Sequence, residues 1–156
     1  MSGTLLKKLS KPFVTDIYTK FNSKPGSQAV KKLVVDLDGT ITLANTSDYR
    51  EVLPNTEVIE TLKRYKAMGY EIIIQTARNM RTYEGNVGKI NIHTLPIITE
   101  WLEKHQVPYD EIHVGKPWCG FDGFYIDDRA IRPSEFTRLS PDEIQQLIER
   151  EKHPCS

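Results

Sequence analysis

Three consecutive β-branched residues, Ile72, Ile73 and Ile74, lie between Glu71 and Thr76 and constrain the fold more than any other feature. A strand with apolar side chains at successive positions has no polar face, so it belongs inside a parallel sheet covered on both sides. A second short β-branched run, Lys32 to Leu37, ends against Gly39 and reads as another central strand. Between the two, Val58, Ile59, Leu62 and Tyr65 recur at helical spacing across Asn55 to Met68, with Pro54 and Asn55 marking the start and Gly69 the end. Strand, helix and strand in this order make a βαβ unit. Further along, a helix from about Leu95 to Gln106 leads to a strand at Glu111 to Val114. Gly123 to Ile126 and Phe136 to Leu139 read as two more strands, and Ser140, Pro141 and Asp142 open a last helix running to about Arg150. This alternation predicts an α/β fold, a Rossmann-like open parallel sheet with helices on both faces.

At 156 residues the chain has the size of one domain. No apolar run exceeds three residues, as in Leu33 to Val35, far below the ~20 that a membrane-spanning helix needs. Two cysteines, Cys119 and Cys155, are too few for a disulfide framework, and no signal-peptide pattern precedes them, so a reducing, cytoplasmic setting is the default. The 21 basic and 21 acidic residues cancel, yet residues 1–32 hold seven lysines against Asp16 alone. Residues 1–30 therefore read as a basic leader, with Pro25 and Gly26 as its linker-like end, and residues 31–156 as the domain proper. The arm's charge suits nucleic acid, an anionic membrane surface or an acidic partner, or assembly into a homo-oligomer. A nucleic-acid partner is not expected, and the bland reading of the arm is a solvated leader.

In open parallel sheets, ligands bind outside the carboxyl ends of the strands. Those ends carry Asp36-Leu37-Asp38-Gly39-Thr40, then Thr76-Ala77-Arg78, then Gly115-Lys116-Pro117, then Asp127-Asp128-Arg129. Asp36 and Asp38 are two apart, so on an extended backbone both side chains leave on one face and repel unless a cation intervenes. With Asp127 and Asp128 they make a hard-oxygen cluster of the kind that suits Mg²⁺. Lys116 and the Thr76 hydroxyl add a positive charge and a donor, which together suit a phosphoryl dianion.

Each part has a plainer explanation when taken alone. An Asp-Asp pair is commonly a solvated turn, a single lysine a surface residue, and a threonine at a strand end a hydroxyl bonded to backbone. A calcium hand is excluded because Gly39 follows Asp38 directly. A phosphate loop at Gly85 to Lys89 is excluded because Ile90 stands where Ser or Thr is needed. His93, His105, His113 and His153 lack zinc-type spacing, and Cys119 reads as a packing residue. The signal is the four segments in order.

Taken in order, these four segments resemble the motifs of the haloacid dehalogenase (HAD) superfamily of phosphatases over about residues 32–129. More narrowly, Asn79 to Asn86, Val114 to Gly120 and Tyr125 to Arg129 are similar to the small capsule-biosynthesis phosphatase group of that superfamily. The resemblance implies Asp36 as nucleophile, Asp38 as general acid and base, and Thr76 and Lys116 as holders of the phosphoryl oxygens. It implies Mg²⁺ at Asp36, Asp38 and one carboxylate of the Asp127-Asp128 pair, with Asp128 favoured as ligand and Asp127 orienting Lys116. Thr40, Ala77, Arg78, Arg81 and Glu84 are the expected substrate contacts. The implied activity is Mg²⁺-dependent hydrolysis of a small phosphorylated sugar or polyol-like intermediate of surface polysaccharide. Polynucleotide 3′-phosphatase or nucleotidase activity is the enzymatic alternative, and a silent binding module the non-enzymatic one. About 40 residues separate Asp36 from Thr76, and a helix uses many of them, so no full cap domain fits.

Overall fold

The computed structural model describes residues 30–43 and 48–152; the rest of the leader, together with His153 and Cys155, lies outside the described residues. Three strands, β1 (Lys32–Val35), β2 (Glu71–Thr76) and β3 (Glu111–Val114), form a parallel sheet in the order β1-β2-β3. The register pairs Val34 with Ile73 and Ile73 with Glu111. Five helices follow the strands: α1 (Thr56–Ala67), α2 (Val87–His93), α3 (Leu95–Lys104), α4 (Pro133–Arg138) and α5 (Pro141–Lys152).

Local chemistry accounts for the helix boundaries. Asn55 caps α1 by accepting from the Val58 N–H at 3.4 Å, and Asn86 caps α2 by accepting from the Lys89 N–H at 3.0 Å. Ser140 and Glu143 form a reciprocal capping pair at α5: the Ser140 N–H donates to Glu143 Oε2 at 2.8 Å, and the Glu143 N–H to Ser140 Oγ at 3.4 Å. Phe136 to Leu139 is helix rather than the expected strand through residue 138. Pro133 sits in the first turn, Glu135 accepts from the Arg132 N–H at 2.9 Å, and Phe136 packs at 5.1 Å from the Tyr65 ring. Gly123 to Ile126 forms no strand, and its side chains are exposed. Residues 87–93 form α2, with Ile90 fully buried behind the Asn86 cap.

The layering also differs from expectation. Both crossovers, β1 to β2 and β2 to β3, step the same way across the sheet, and right-handed connections then lie on one face. Leu33, Val35, Ile72, Ile74, Ile112 and Val114 accordingly pack against α1 and α3 around Leu62, Trp101 and Leu102. The opposite face carries Lys32, Val34, Glu71, Ile73, Glu111 and His113, tied by Lys32–Glu71 (3.0 Å), Lys32–Glu111 (3.7 Å) and His113–Glu111 (2.8 Å) contacts. Among the described residues no helix covers that face, so Ile73 is half-buried rather than enclosed.

No second domain is inserted among the described residues. Between β1 and α1, residues 41–43 and 53–55 pair as a small flap in which the Leu43 N–H donates to Leu53 O (2.8 Å) and the Asn55 N–H to Ile41 O (2.8 Å). Trp101 anchors this flap from below, its indole N–H donating to Val52 O at 2.9 Å while only 2% of the residue is exposed. Trp101→Phe removes that donor and leaves a buried carbonyl unpaired. The expected loss, read from urea unfolding at unchanged m-value, is about 1–3 kcal/mol.

Candidate active site

Asp36 continues the extended backbone of β1, and the chain then turns through the tight loop Leu37–Ile41. Gly39 makes the turn with φ 75, a left-handed conformation open to glycine without strain. Thr42 braces the loop: its hydroxyl donates to Leu37 O at 3.2 Å and accepts from the Gly39 N–H at 3.4 Å. This buried bracing holds Asp36 and Asp38 at the mouth of a cavity of about 510 Å³.

Two ion pairs organise the carboxylates. Lys116, just past β3, reaches over the end of β2 to place Nζ 2.8 Å from Asp36 Oδ1. Its backbone N–H stays on the Thr76 carbonyl at 3.1 Å, and Nζ also lies 4.1 Å from the centroid of the Tyr125 ring. Arg78, just past β2, donates from Nε to both Asp38 oxygens at 3.1 and 3.2 Å and from Nη2 to Oδ1 at 2.5 Å. Arg78 is 3% exposed, its guanidinium carbon lies 4.3 Å from the centroid of the Tyr49 ring, and Nη1 is buried with no hydrogen-bond partner among the described residues. A buried guanidinium with one unused amino group is costly unless an anionic or carbonyl group completes it.

Burial pushes the Asp36 carboxyl above the usual carboxylate range; hydrogen bonding and attraction from Lys116 oppose this rise, and repulsion from Asp38 adds to it.

The sequence-derived site is gathered in part. Asp36, Asp38, Ala77, Arg78 and Arg81 line the cavity. Thr76 lies beneath it, 0% exposed, with its hydroxyl accepting the Arg78 N–H at 3.0 Å. Thr40 is half-buried in the loop, and Glu84 occupies an exposed turn (φ 50); neither borders the cavity. Asp127 and Asp128 are not brought to Asp36. Asp127 accepts from the Arg129 N–H at 2.7 Å, and Asp128 borders a separate cavity beside Ile131 and Ile148. The cause is the strand missing at Gly123 to Ile126, which was to deliver them. Among the described residues no group of three or more His, Cys, Asp or Glu side chains is placed to hold a metal ion. The donor types suit Mg²⁺, but the arrangement supplies too few of them together, so the site as described does not fit the ion.

Several cavity residues were not foreseen: Tyr49 and Val52 from the flap, and Trp118, Phe121 and Tyr125 from the segment after Lys116. The aromatic spacing of that segment, directly following a site lysine, was the available signal. Trp118 and Phe121 stack edge to face at 5.1 Å, and the Arg81 guanidinium lies over both rings at 5.9 and 5.3 Å. Cys119, read as a packing residue, is exposed.

Because Lys116 holds the Asp36 carboxyl down against burial, Lys116→Met in metal-free buffer is expected to raise its titration midpoint further. Carboxyl carbon NMR of the two proteins checks the direction, and an unchanged midpoint would show that Lys116 exerts no hold on Asp36.

A family model for haloacid dehalogenase-like hydrolases matches residues 33–152. The crystal structure of a structural-genomics target from Vibrio cholerae shares 75% sequence identity, the match covering 78% of this chain and 99% of that one, with a TM-score of 0.77. A chain in the structure of the Pnkp1/Rnl/Hen1 RNA repair complex shares 30% identity over 55% of this chain and 26% of its own length, with a TM-score of 0.40. No curated protein sequence matches this chain. No helix among the described residues is long and apolar enough to cross a membrane. With the family match running from the second residue of β1 through every described helix, the chain belongs to the haloacid dehalogenase-like hydrolase family.

Proposed function

We propose that the protein is a phosphomonoesterase that works through an aspartyl-phosphate on Asp36. The observation that carries this reading is the 2.8 Å pairing of Asp36 with Lys116 on the rim of a cavity that also presents Asp38. An Asp36 oxygen attacks phosphorus, the P–O ester bond breaks, and Asp38 gives its proton to the departing alkoxide. Asp38 then takes a proton from water, whose oxygen attacks the aspartyl-phosphate; inorganic phosphate leaves and both carboxyl groups are restored. Lys116 offsets the negative charge of the phosphoryl group, and Arg78 fixes the orientation of Asp38.

The substrate we infer is a small phosphorylated sugar or polyol-like intermediate of capsule or surface polysaccharide synthesis. A cavity of about 510 Å³ suits a small molecule. Its aromatic walls, Trp118, Phe121 and Tyr49, suit the apolar faces of a sugar ring, and Arg81 between them suits a second polar or anionic group. Mg²⁺ is the cofactor the family resemblance implies, and dependence on it forms a separate arm of the test.

Hydrolysis of an aryl phosphate with and without Mg²⁺, followed by a panel of sugar phosphates, nucleotides and 3′-phosphorylated oligonucleotides, tests the reading. Turnover on the sugar phosphates is expected, with Asp36→Asn losing at least ~10³-fold. A wild-type protein inert on the whole panel, or near-normal turnover by Asp36→Asn, would sink it. Arg81→Ala is expected to raise KM several-fold for the best sugar phosphate and hardly at all for the aryl phosphate, with kcat little changed. Equal effects on both substrates would assign Arg81 to the scaffold.

A further inference from the structure

Among the described residues, the segment expected to complete the sheet and the edge expected to receive it are both left open. β1 pairs with β2 alone, and no other described backbone group bonds to Lys32–Val35. Its Leu33-Val34-Val35 run carries no charge, and Val34 is 63% exposed. An uncharged, unprotected edge strand is a template for pairing. The other edge, β3, carries Glu111 and His113 instead. Phe124 and Ile126 are 74% and 88% exposed, and the run Phe124-Tyr125-Ile126 has the composition of a strand. Directly after it come Asp127 and Asp128, the carboxylates that the cavity lacks.

Pairing within one chain is opposed by the short connection. A strand lying outside β1 is three strand spacings from β3, roughly 14 Å, and must begin near the amino end of β1, roughly 13 Å further down. Only residues 117–122 connect Lys116 to Gly123. The seven Cα–Cα steps from Lys116 to Gly123 span at most about 25 Å fully extended, only about 6 Å more than the straight line through the molecule, whereas parallel crossovers take about a dozen residues. Nor is the connection extended: a Cβ at Gly123 would lie 2.0 Å from the Cys119 carbonyl oxygen, so residues 119–123 form a closed turn.

We infer that Gly123–Ile126 of one copy pairs in parallel with the free edge of β1 in a second copy of this chain, carrying Asp127 and Asp128 to the partner's Asp36. This rests on the phosphatase reading above for the role of the carboxylates, but not for the pairing itself. The exchange is reciprocal about a two-fold axis, the closed arrangement of a swapped dimer. Its anchors are favourably placed. Ile131 packs against the cluster of Tyr65, Ile144 and Ile148, against which Leu33 of β1 also packs, so the excursion begins at Lys116 and returns to the cluster that β1 shares. Docking releases Tyr125 from its contacts with Lys116 and with the Pro117 carbonyl (2.7 Å).

Sedimentation equilibrium of the full chain is expected to show a dimer, and Ile126→Asp a monomer with unchanged far-ultraviolet circular dichroism. A monomeric wild type overturns the inference, including the case in which residues 1–29 fill the edge. For the active site, Asp36→Asn protein is mixed and re-equilibrated with Asp127→Asn/Asp128→Asn protein. Half the dimers are then mixed and each has one intact site, so about one quarter of the wild-type rate returns. No recovery alongside an active wild type overturns the shared site. If the wild type is inactive, the phosphatase reading fails and cross-linking decides the pairing. In a Cys119→Ser/Cys155→Ser background, Val34→Cys protein mixed with Tyr125→Cys or Ile126→Cys protein is expected to form a disulfide-linked heterodimer on oxidation; absence of that product overturns the exchange.

Discussion

The contact between Lys116 and Asp36 joins the ends of the two outer strands across the central one. For it to form, β1 and β3 must stop near the carboxyl end of β2, opposite Ile74 and Thr76 respectively, and the Lys116 N–H must stay on the Thr76 carbonyl. The depth of β2 in the core, with Ile72, Ile74 and Thr76 fully buried, makes that level invariant. A one-residue slip of either neighbour would turn its alternating side chains to the wrong face and carry the carboxylate or the ammonium away from the rim. The chemistry of the rim thus rests on strand register, which the helix-covered face of the sheet enforces.

Asp38 is governed by different physics. Its partner Arg78 is sealed beneath the cavity between Tyr49 and the carboxylate. Long charged side chains are rarely enclosed to this degree, since desolvation opposes it and the fork must be satisfied on every side. Among the described residues Nη1 is left without a hydrogen-bond partner. The two carboxylates therefore sit in unlike settings, one paired with an ammonium at the rim, the other gripped by a planar fork from below.

Local rules served well where a feature depended only on neighbouring residues. The span of β2, the Asn55 cap and the strand-end positions of Asp36, Asp38, Arg78 and Lys116 could all be read from spacing and composition. Reading failed where a partner distant in sequence decides the outcome. Gly123 to Ile126 has strand composition, but a strand needs an edge within reach, and reach is set by the six residues before it. Phe136 to Leu139 has β-type residues too, yet Pro133, Glu135 and the Tyr65 ring draw it into a helix. Tyr49 and Val52 enter the cavity wall through the pairing of the flap, which leaves no periodic trace in sequence. Two crossovers stepping the same way explain the bare sheet face, a topological fact no window of residues contains.

Burying Asp36 links the stability of the metal-free chain to protons. Its carboxyl holds a proton to higher pH when folded than when unfolded, because burial outweighs the help from Lys116. Below the ordinary carboxylate value both states are protonated. Between that value and the raised one only the folded chain keeps the proton, so unfolding releases it and stability falls as pH rises through this window. Above the raised value the loss is complete and constant. The carboxylate at the mouth of the cavity is thus held ionised at the expense of the fold, and any cation that settles beside it, whether supplied by the chain or by the medium, tightens the protein as well as the site.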